Sequence, residues 1–333
     1  MAGMLTDTAE VIRCTVQAPA GHVAARTALL ALAALSALSA CSTVYLAQAA
    51  RGQWQVLRAR EPIDRLVADP KVPAGLRTKL EHVREMRNFA TRELGLPDNR
   101  SYRSYADTGR PYVVWNVVVA PEFSVEPQRW CFPIAGCVAY RGYFRERSAR
   151  DFALEMRARG FDTVVGGVAA YSTLGRFADP VLNTMIDDGD DELAAIIFHE
   201  LAHQLLYVPG DSEFNEAFAV TVEEAGLARW LASRGQSADL ENYHARRARR
   251  GQFVALFIRR RAELRALYAQ ELPAALMRER KRATFAALAA DIRALEARLG
   301  LRTGYEQWIA DGLNNAHLAS LATYFACAPG FER

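Results

Sequence analysis

Six histidines occur in the 333-residue chain, and two of them stand four residues apart around a glutamate, in His199-Glu200-Leu201-Ala202-His203. On a helix, residues i and i+4 share a face, so both imidazoles can point at one spot. Histidines at that spacing hold a Zn²⁺ ion, and the glutamate one step round reaches a water that the ion polarises. The ion brings the pKa of that water to roughly 7 and the carboxylate takes its proton, which is the chemistry of hydrolysis. Hydrolytic zinc usually has three protein ligands and leaves the fourth position to water. His82, His244 and His317 lack nearby motifs, so a carboxylate is expected as the third ligand. The candidates are Glu216, in Asn215-Glu216-Ala217-Phe218-Ala219, then Glu223, Glu224 and Glu213.

The elements around these residues help to choose among them. Leu193, Ile196, Ile197, Leu201 and Leu205 recur with a helical period, predicting a helix over 191–207. Pro209-Gly210-Asp211 ends it, and Ser212 reads as the N-cap of a second helix over 212–234. If the two form an antiparallel hairpin, His203 and Glu216 lie at similar height. Glu223 then lies about 10 Å further along, at 1.5 Å per residue. That suits it to accept a hydrogen bond from a ligand histidine. The 19 residues between His203 and Glu223 nevertheless match thermolysin-type ligand spacing, so Glu223 stays open as a ligand. No HExxHxxGxxH continuation follows, which excludes the metzincin pattern.

Upstream, 44–58 and the run Leu76, Leu80, Val83, Ala90, Leu94 read as helices, the second ending at Gly95 and Pro97. Tyr112–Ala120, Val138–Phe144 and Phe161–Val168 read as strands, with a helix over Ser148–Arg159 closed by Gly160. Beyond the motif helices, further helices are expected over about 237–270, 273–299 and about 304–326, with no strand after Asp191. The fold class is α+β, mostly α-helical: a small β-sheet followed by a helical half that carries the HExxH helix. We expect a single domain over 41–333, its α+β part about 41–190 and its helical part about 191–333.

Thr27–Ala40 is an uncharged apolar run of 14 residues after Arg26. That is short of the ~20 residues a membrane span needs and fits the apolar region of a signal peptide. Leu38-Ser39-Ala40-Cys41 looks like a bacterial lipobox, in which cleavage after residue 40 leaves Cys41 as a lipidated N-terminus. Residues 1–40 are therefore expected to be a signal peptide. Position 42 is Ser rather than the Asp that retains lipoproteins at the inner membrane, which directs the chain to the outer membrane, facing the periplasm. In an exported chain Cys131 and Cys137, six positions apart around Pro133 and Gly136, are expected to form a disulfide. Cys327 is left unpaired and buried. The chain balances 41 Lys and Arg against 38 Asp and Glu, a formal charge of +3, which argues against a nucleic-acid partner. Its 51% hydrophobic content suffices for a large core, and a mean hydropathy of −0.08 excludes a polytopic membrane protein.

His-Glu-Leu-Ala-His-Gln followed by Phe-Asn-Glu-Ala-Phe-Ala resembles the gluzincins. More narrowly, the chain is similar to a family of bacterial lipoproteins designated zinc aminopeptidases, a label that itself rests on motif. The likeness extends over the lipobox, YLAQAARGQ (45–53), WCFPIAGCVAYRGYF (130–144), AYSTLGRFADPVL (170–182), the HExxH region and NNAHLA (314–319). It implies a metal-dependent peptidase with one Zn²⁺ per chain, held by His199, His203 and Glu216, and Glu200 as base. Tyr171 is the favoured oxyanion donor, because AYSTLG follows a strand and precedes the zinc helix; Tyr207, Tyr305 and Tyr324 are the others available. Asp187, Asp188, Asp190 and Asp191 could bind a substrate ammonium or simply open a helix, and Asn314-Asn315 could line the cleft or cap one. Arg246, Arg247, Arg249 and Arg250, with Arg259–Arg261, read as a solvated face or as a contact for anionic lipid. The function expected is a zinc peptidase, an aminopeptidase ahead of an endopeptidase, acting on peptides and attached to the membrane through Cys41. The competing class is an inactive, metal-stabilised envelope lipoprotein that binds a partner, which would not need Glu200.

Overall fold

The structure is a computed structural model that describes residues 43–132, 136–187, 189–208 and 211–325. Residues 1–40, Cys41, Asp188 and Cys327 lie outside these, as do the side chains of Glu213 and Tyr324. The chain divides into residues 1–46 and 47–333; of the first, only the start of helix α1 is described, and every later element belongs to the second.

Helix α1 (Thr43–Arg58) runs through β1 (Arg60–Pro62) and α2 (Ile63–Ala68) to α3 (Ala74–Arg92). Leu80, Val83, Met86 and Ala90 of α3 are spaced three or four apart and all are buried, so one stripe of the helix faces the core. Strand β2 (Ser104–Ala106) pairs with β1 antiparallel and with β8 (Val181–Leu182) in parallel. A second sheet centres on β3 (Val114–Ala120), flanked by β6 (Arg141–Tyr143) and β7 (Asp162–Val168), both antiparallel to it. Between β6 and β7, helix α4 (Glu146–Ala158) buries Ala149, Ala153 and Met156. Strands β4 (Trp130–Phe132) and β5 (Gly136–Val138) make a small hairpin of their own.

From β8 the chain passes through α5 (Asn183–Ile186) into α6 (Asp190–Leu205) and α7 (Ser212–Ser233). Then come α8 (Ser237–Tyr268), α9 (Ala274–Leu299), α10 (Tyr305–Asp311) and α11 (Asn315–Phe325). The fold is α+β and mostly helical, the class expected from the sequence. No strand follows β8 among the described residues. None of the described helices is long and apolar enough to cross a membrane.

Two expected elements are divided. The apolar run 138–144 is split between β5 and β6, because Val138 pairs with Trp130 in the hairpin while Arg141–Tyr143 pair with Val117–Trp115 of the central sheet. The helix expected over 304–326 is two helices, since Gly312 has φ 93°, a conformation that no helix interior accepts.

Two main clusters of buried side chains hold these elements. One joins α3, α6 and α7 with β2 and β8, around Leu80, Phe198, Leu201 and Leu227. The other joins α8, α9 and α11 around Phe257, Leu264, Leu288 and Ile292. The candidate site lies in the first.

Candidate metal centre

Helix α6 opens with Asp190, Asp191 and Glu192, acidic residues that suit the positive end of the helix dipole. Asp190 Oδ1 accepts from Lys79 at 2.8 Å and its Oδ2 faces His82 Nδ1 at 2.5 Å. Asp191 pairs with Arg246, and Glu192 lies 3.5 Å from the same guanidinium. Asp190 and Asp191 of the acidic run are thus engaged in fixing the start of the helix, while Asp187 closes α5. Leu193, Ile197, Phe198 and Leu201 are then fully buried, which leaves α6 no freedom to rotate. That locking aims His199 and His203, one turn apart, at the neighbouring helix.

Helix α7 is brought alongside by three local features. Asp211, rather than Ser212, is its N-cap: the Asp211 carboxylate accepts from the Phe214 N–H at 2.9 Å. Asn215, 2% exposed, donates to the Val208 carbonyl at 2.8 Å and accepts from the Val208 N–H at 2.7 Å. These paired bonds close the turn between the helices and put Glu216 across from His203. Gly226 completes the approach, since a Cβ there would stand 2.7 Å from Leu94 Cδ1 and 3.0 Å from Phe198 Cδ2.

Three donor atoms meet as a result. The Nε2 atoms of His199 and His203 are 3.1 Å apart. Glu216 Oε2 is 3.4 Å from the first and its Oε1 is 3.6 Å from the second. Two ligands each 2.0–2.1 Å from a tetrahedral ion stand roughly 3.3 Å apart, so these separations, which reach the two different oxygens of Glu216, are of the size a zinc-sized cation needs. Two imidazoles and one carboxylate are also a donor set that zinc accepts. His203 is buried, and its other ring nitrogen has no hydrogen-bond partner among the described residues, so its polar contacts lie on the Nε2 side.

Electrostatics favour a positive charge at that point. Burial opposes charge on His199, but its hydrogen bonds to Glu216 and Glu223 prevail and raise its pKa to about 10. Burial and the neighbouring His199 charge push His203 the other way, down. Glu216 is held below the usual carboxylate range by its hydrogen bond to His199 and by His203. Glu223 stands behind: its Oε2 accepts from His199 Nδ1 at 2.8 Å, which leaves Nε2 facing the cluster. Burial opposes its charge, while the bonds from His199 and Tyr243 hold its pKa down.

Glu200 is half-buried, and burial raises its pKa against the pull of His199. The Ser172 hydroxyl lies close enough to favour the charged form of Glu200, and is also near Asp179 and Tyr102. Asp179 is 3% exposed and accepts from the Thr173 N–H at 2.9 Å and the Thr173 hydroxyl at 2.8 Å, which pins segment 172–173. Tyr171, next along, is turned elsewhere: its hydroxyl donates to Gln53 and its ring meets Phe144 at 6.1 Å. Tyr207 is exposed, and Tyr305 packs in the second core against Phe257.

Other positions fall into place away from the cluster. Asn314 and Asn315 cap α11, where the Asn314 side chain accepts from the Ala316 N–H at 3.0 Å and Asn315 donates to the Pro121 and Glu122 carbonyls. Cys131 and Cys137 are joined as a disulfide in the β4–β5 hairpin. Arg259 and Arg260 pair with Asp291, and Arg261 with Glu126. Arg249 and Arg250 line an open groove with Phe253, Tyr305 and Trp308. Sequence patterns do not single out Ser172, Tyr102, Tyr243 or Arg247 as partners of the cluster. The one local signal is a hydroxyl next to Tyr171 in AYSTLG.

No curated protein and no solved structure matches the chain. One family does match, over residues 44–333, a span that takes in both histidines and all three carboxylates of the cluster and its surroundings: the chain belongs to the family described as "Putative aminopeptidase".

Proposed function

We propose that the protein is a zinc-dependent peptidase, an aminopeptidase, attached to the cell envelope by a lipid on Cys41. The observation that carries the catalytic part is the convergence of His199 Nε2, His203 Nε2 and the Glu216 carboxylate, with Glu200 beside them. A zinc ion bound by these three residues would act as a Lewis acid on the scissile carbonyl and lower the pKa of a water to roughly 7. Glu223 keeps a proton of His199 on Nδ1, so Nε2 is the nitrogen whose proton a metal ion would replace. The Glu200 carboxylate takes one proton from the attacking water as its oxygen bonds to the carbonyl carbon. It then delivers that proton to the peptide nitrogen as the C–N bond breaks, so one water is consumed; the second water proton, left on the new carboxyl group, passes to the amine, and a carboxylate and an ammonium result. The nearby Ser172 hydroxyl favours the charged form of Glu200, the form that can accept the proton.

Glu216 is 45% exposed, so the cluster opens to solvent on that side. Leu174 and Phe177, on the loop after Ser172, and Leu205 and Tyr207, just past His203, are exposed apolar side chains. Gly175 of that loop lies against Gln204 of α6, which sets the two groups side by side as a surface for apolar substrate residues. The family description supports the exopeptidase reading. The lipid anchor rests on Leu38-Ser39-Ala40-Cys41-Ser42, which points to the outer membrane, and the Cys131–Cys137 disulfide suits an oxidising periplasm.

The test is a panel of peptides with free and with acetylated amino termini, given to the purified zinc-loaded protein. The expected result is release of single residues from the free-amine set alone. Internal cleavage of blocked peptides would make the protein an endopeptidase. Cleavage of neither set would leave the inactive lipoprotein.

A further inference from the structure

Glu223 is buried, and each of its carboxylate oxygens is occupied. Oε2 holds His199 Nδ1 at 2.8 Å. Oε1 accepts from the Tyr243 hydroxyl at 2.5 Å and from an Arg247 N–H at 2.7 Å. Tyr243 and Arg247 stand four residues apart on α8, so one turn of that helix closes over the back of the α6–α7 hairpin. Arg247 also reaches Tyr243 Oη at 3.4 Å and Glu224 at 3.4 Å.

We propose that Tyr243 and Arg247 are positioning residues for the metal, acting through Glu223 to hold the His199 ring at the angle the ion requires. This inference rests on the reading of His199, His203 and Glu216 as a metal site. A ligand imidazole is neutral, so once His199 binds an ion it no longer balances the Glu223 charge. A buried carboxylate without a counter-charge is costly. Arg247 supplies that charge permanently: with Glu200, Glu216 and Glu223 anionic around a dication, it brings the group to neutrality. Tyr243 supplies direction. Its hydroxyl and the guanidinium together fix one oxygen of Glu223, so the other cannot swing away from His199. Neither residue approaches the donor point, because both bind the far oxygen.

Arg259, further along α8, is an internal control. It makes the same kind of ion pair, but with Asp291 of α9, away from the α6–α7 hairpin. A merely structural role for the ion pairs of α8 would make Arg247 and Arg259 alike.

The experiment measures the zinc dissociation constant of the purified full chain by competition with a chromophoric chelator, and the visible spectrum of the cobalt-loaded protein. Arg247→Leu is expected to weaken zinc binding about 10–100-fold and Tyr243→Phe about 3–10-fold, each with an altered cobalt spectrum. Arg247→Lys should recover most of the affinity, since it keeps the charge. Arg259→Leu should stay within about twofold of wild type with an unchanged spectrum. If Arg247→Leu fails to fold, Tyr243→Phe and Arg247→Lys decide the matter. Wild type that binds zinc, with Tyr243→Phe and the Arg247 variants matching it in affinity and spectrum, overturns this inference alone. Equal weakening in Arg259→Leu overturns it too. Wild type that binds no zinc overturns the metal reading and this inference with it.

Discussion

His203 offers the cluster a lone pair from a side chain 8% exposed, whereas Glu200 offers a proton acceptor that faces Ser172. Variants should separate the two. Removing a ligand should cost more than the ~10–100-fold lost with an outer partner, so His203→Ala and Glu216→Ala should each weaken zinc binding more than about 100-fold. Glu200→Gln should retain zinc with wild-type affinity and lose turnover by about 10²–10⁴-fold. Metal analysis and peptide assay on the same preparations check both statements, and undiminished turnover in Glu200→Gln would remove Glu200 from the mechanism. Ser172→Ala should leave zinc affinity unchanged while lowering kcat, because Ser172 favours the charged form of Glu200 and is not one of the proposed ligands. A fall in zinc affinity would instead assign Ser172 to the architecture of the cluster.

Helix α11 carries a pH dependence of its own. Burial lowers the pKa of His317 to about 4, and its Nδ1 accepts from the Asn314 N–H at 3.2 Å, so the native ring is neutral. An unfolded histidine titrates near 6.5, so between that value and about 4 the unfolded chain binds a proton that the native chain refuses. Stability from this site is therefore complete above pH 6.5 and is lost as the pH falls through that window, by up to roughly 3 kcal/mol. Urea unfolding at pH 7 and pH 4.5 should show a smaller drop for His317→Gln than for wild type; an equal drop would refute the assignment. None of this can be read from Asn314-Asn315-Ala316-His317, because the cap depends on burial supplied by Trp308, whose ring lies 4.9 Å from that of His317. The HExxH helix is legible in the sequence, since its apolar period and its two histidines fall on one short segment. The three-residue strands β1 and β2 are not, since three residues cannot display an alternating pattern. The break at Gly312 is hidden for a related reason: glycine is tolerated in many helices, and only its φ of 93° reveals a stop. Ser172, Tyr243 and Arg247 reach the cluster from segments far along the chain, and no spacing rule connects them to His199.

Across the whole molecule the cluster and the second core are energetically separable. Leu288 is fully buried between α8 and α9, in a group of side chains that includes none of the donor residues. Leu288→Ala should lower unfolding stability by about 2–5 kcal/mol in denaturant titration and leave the zinc dissociation constant within about twofold. A large loss of zinc affinity would mean that the two halves are coupled. The proposed anchor is tested on the intact cell: fatty-acid labelling should mark the wild type and miss Cys41→Ala, which should accumulate uncleaved. Attachment by several acyl chains should survive salt washing, because each buried CH₂ contributes about 0.8 kcal/mol. The central claim is that His199, His203 and Glu216 form one metal site, and the most direct measurement is the zinc content of the purified protein and of Glu216→Ala after dialysis against metal-free buffer. The account predicts one zinc per wild-type chain and a sharp loss in the variant. No zinc in the wild type, or full retention in Glu216→Ala, would contradict it.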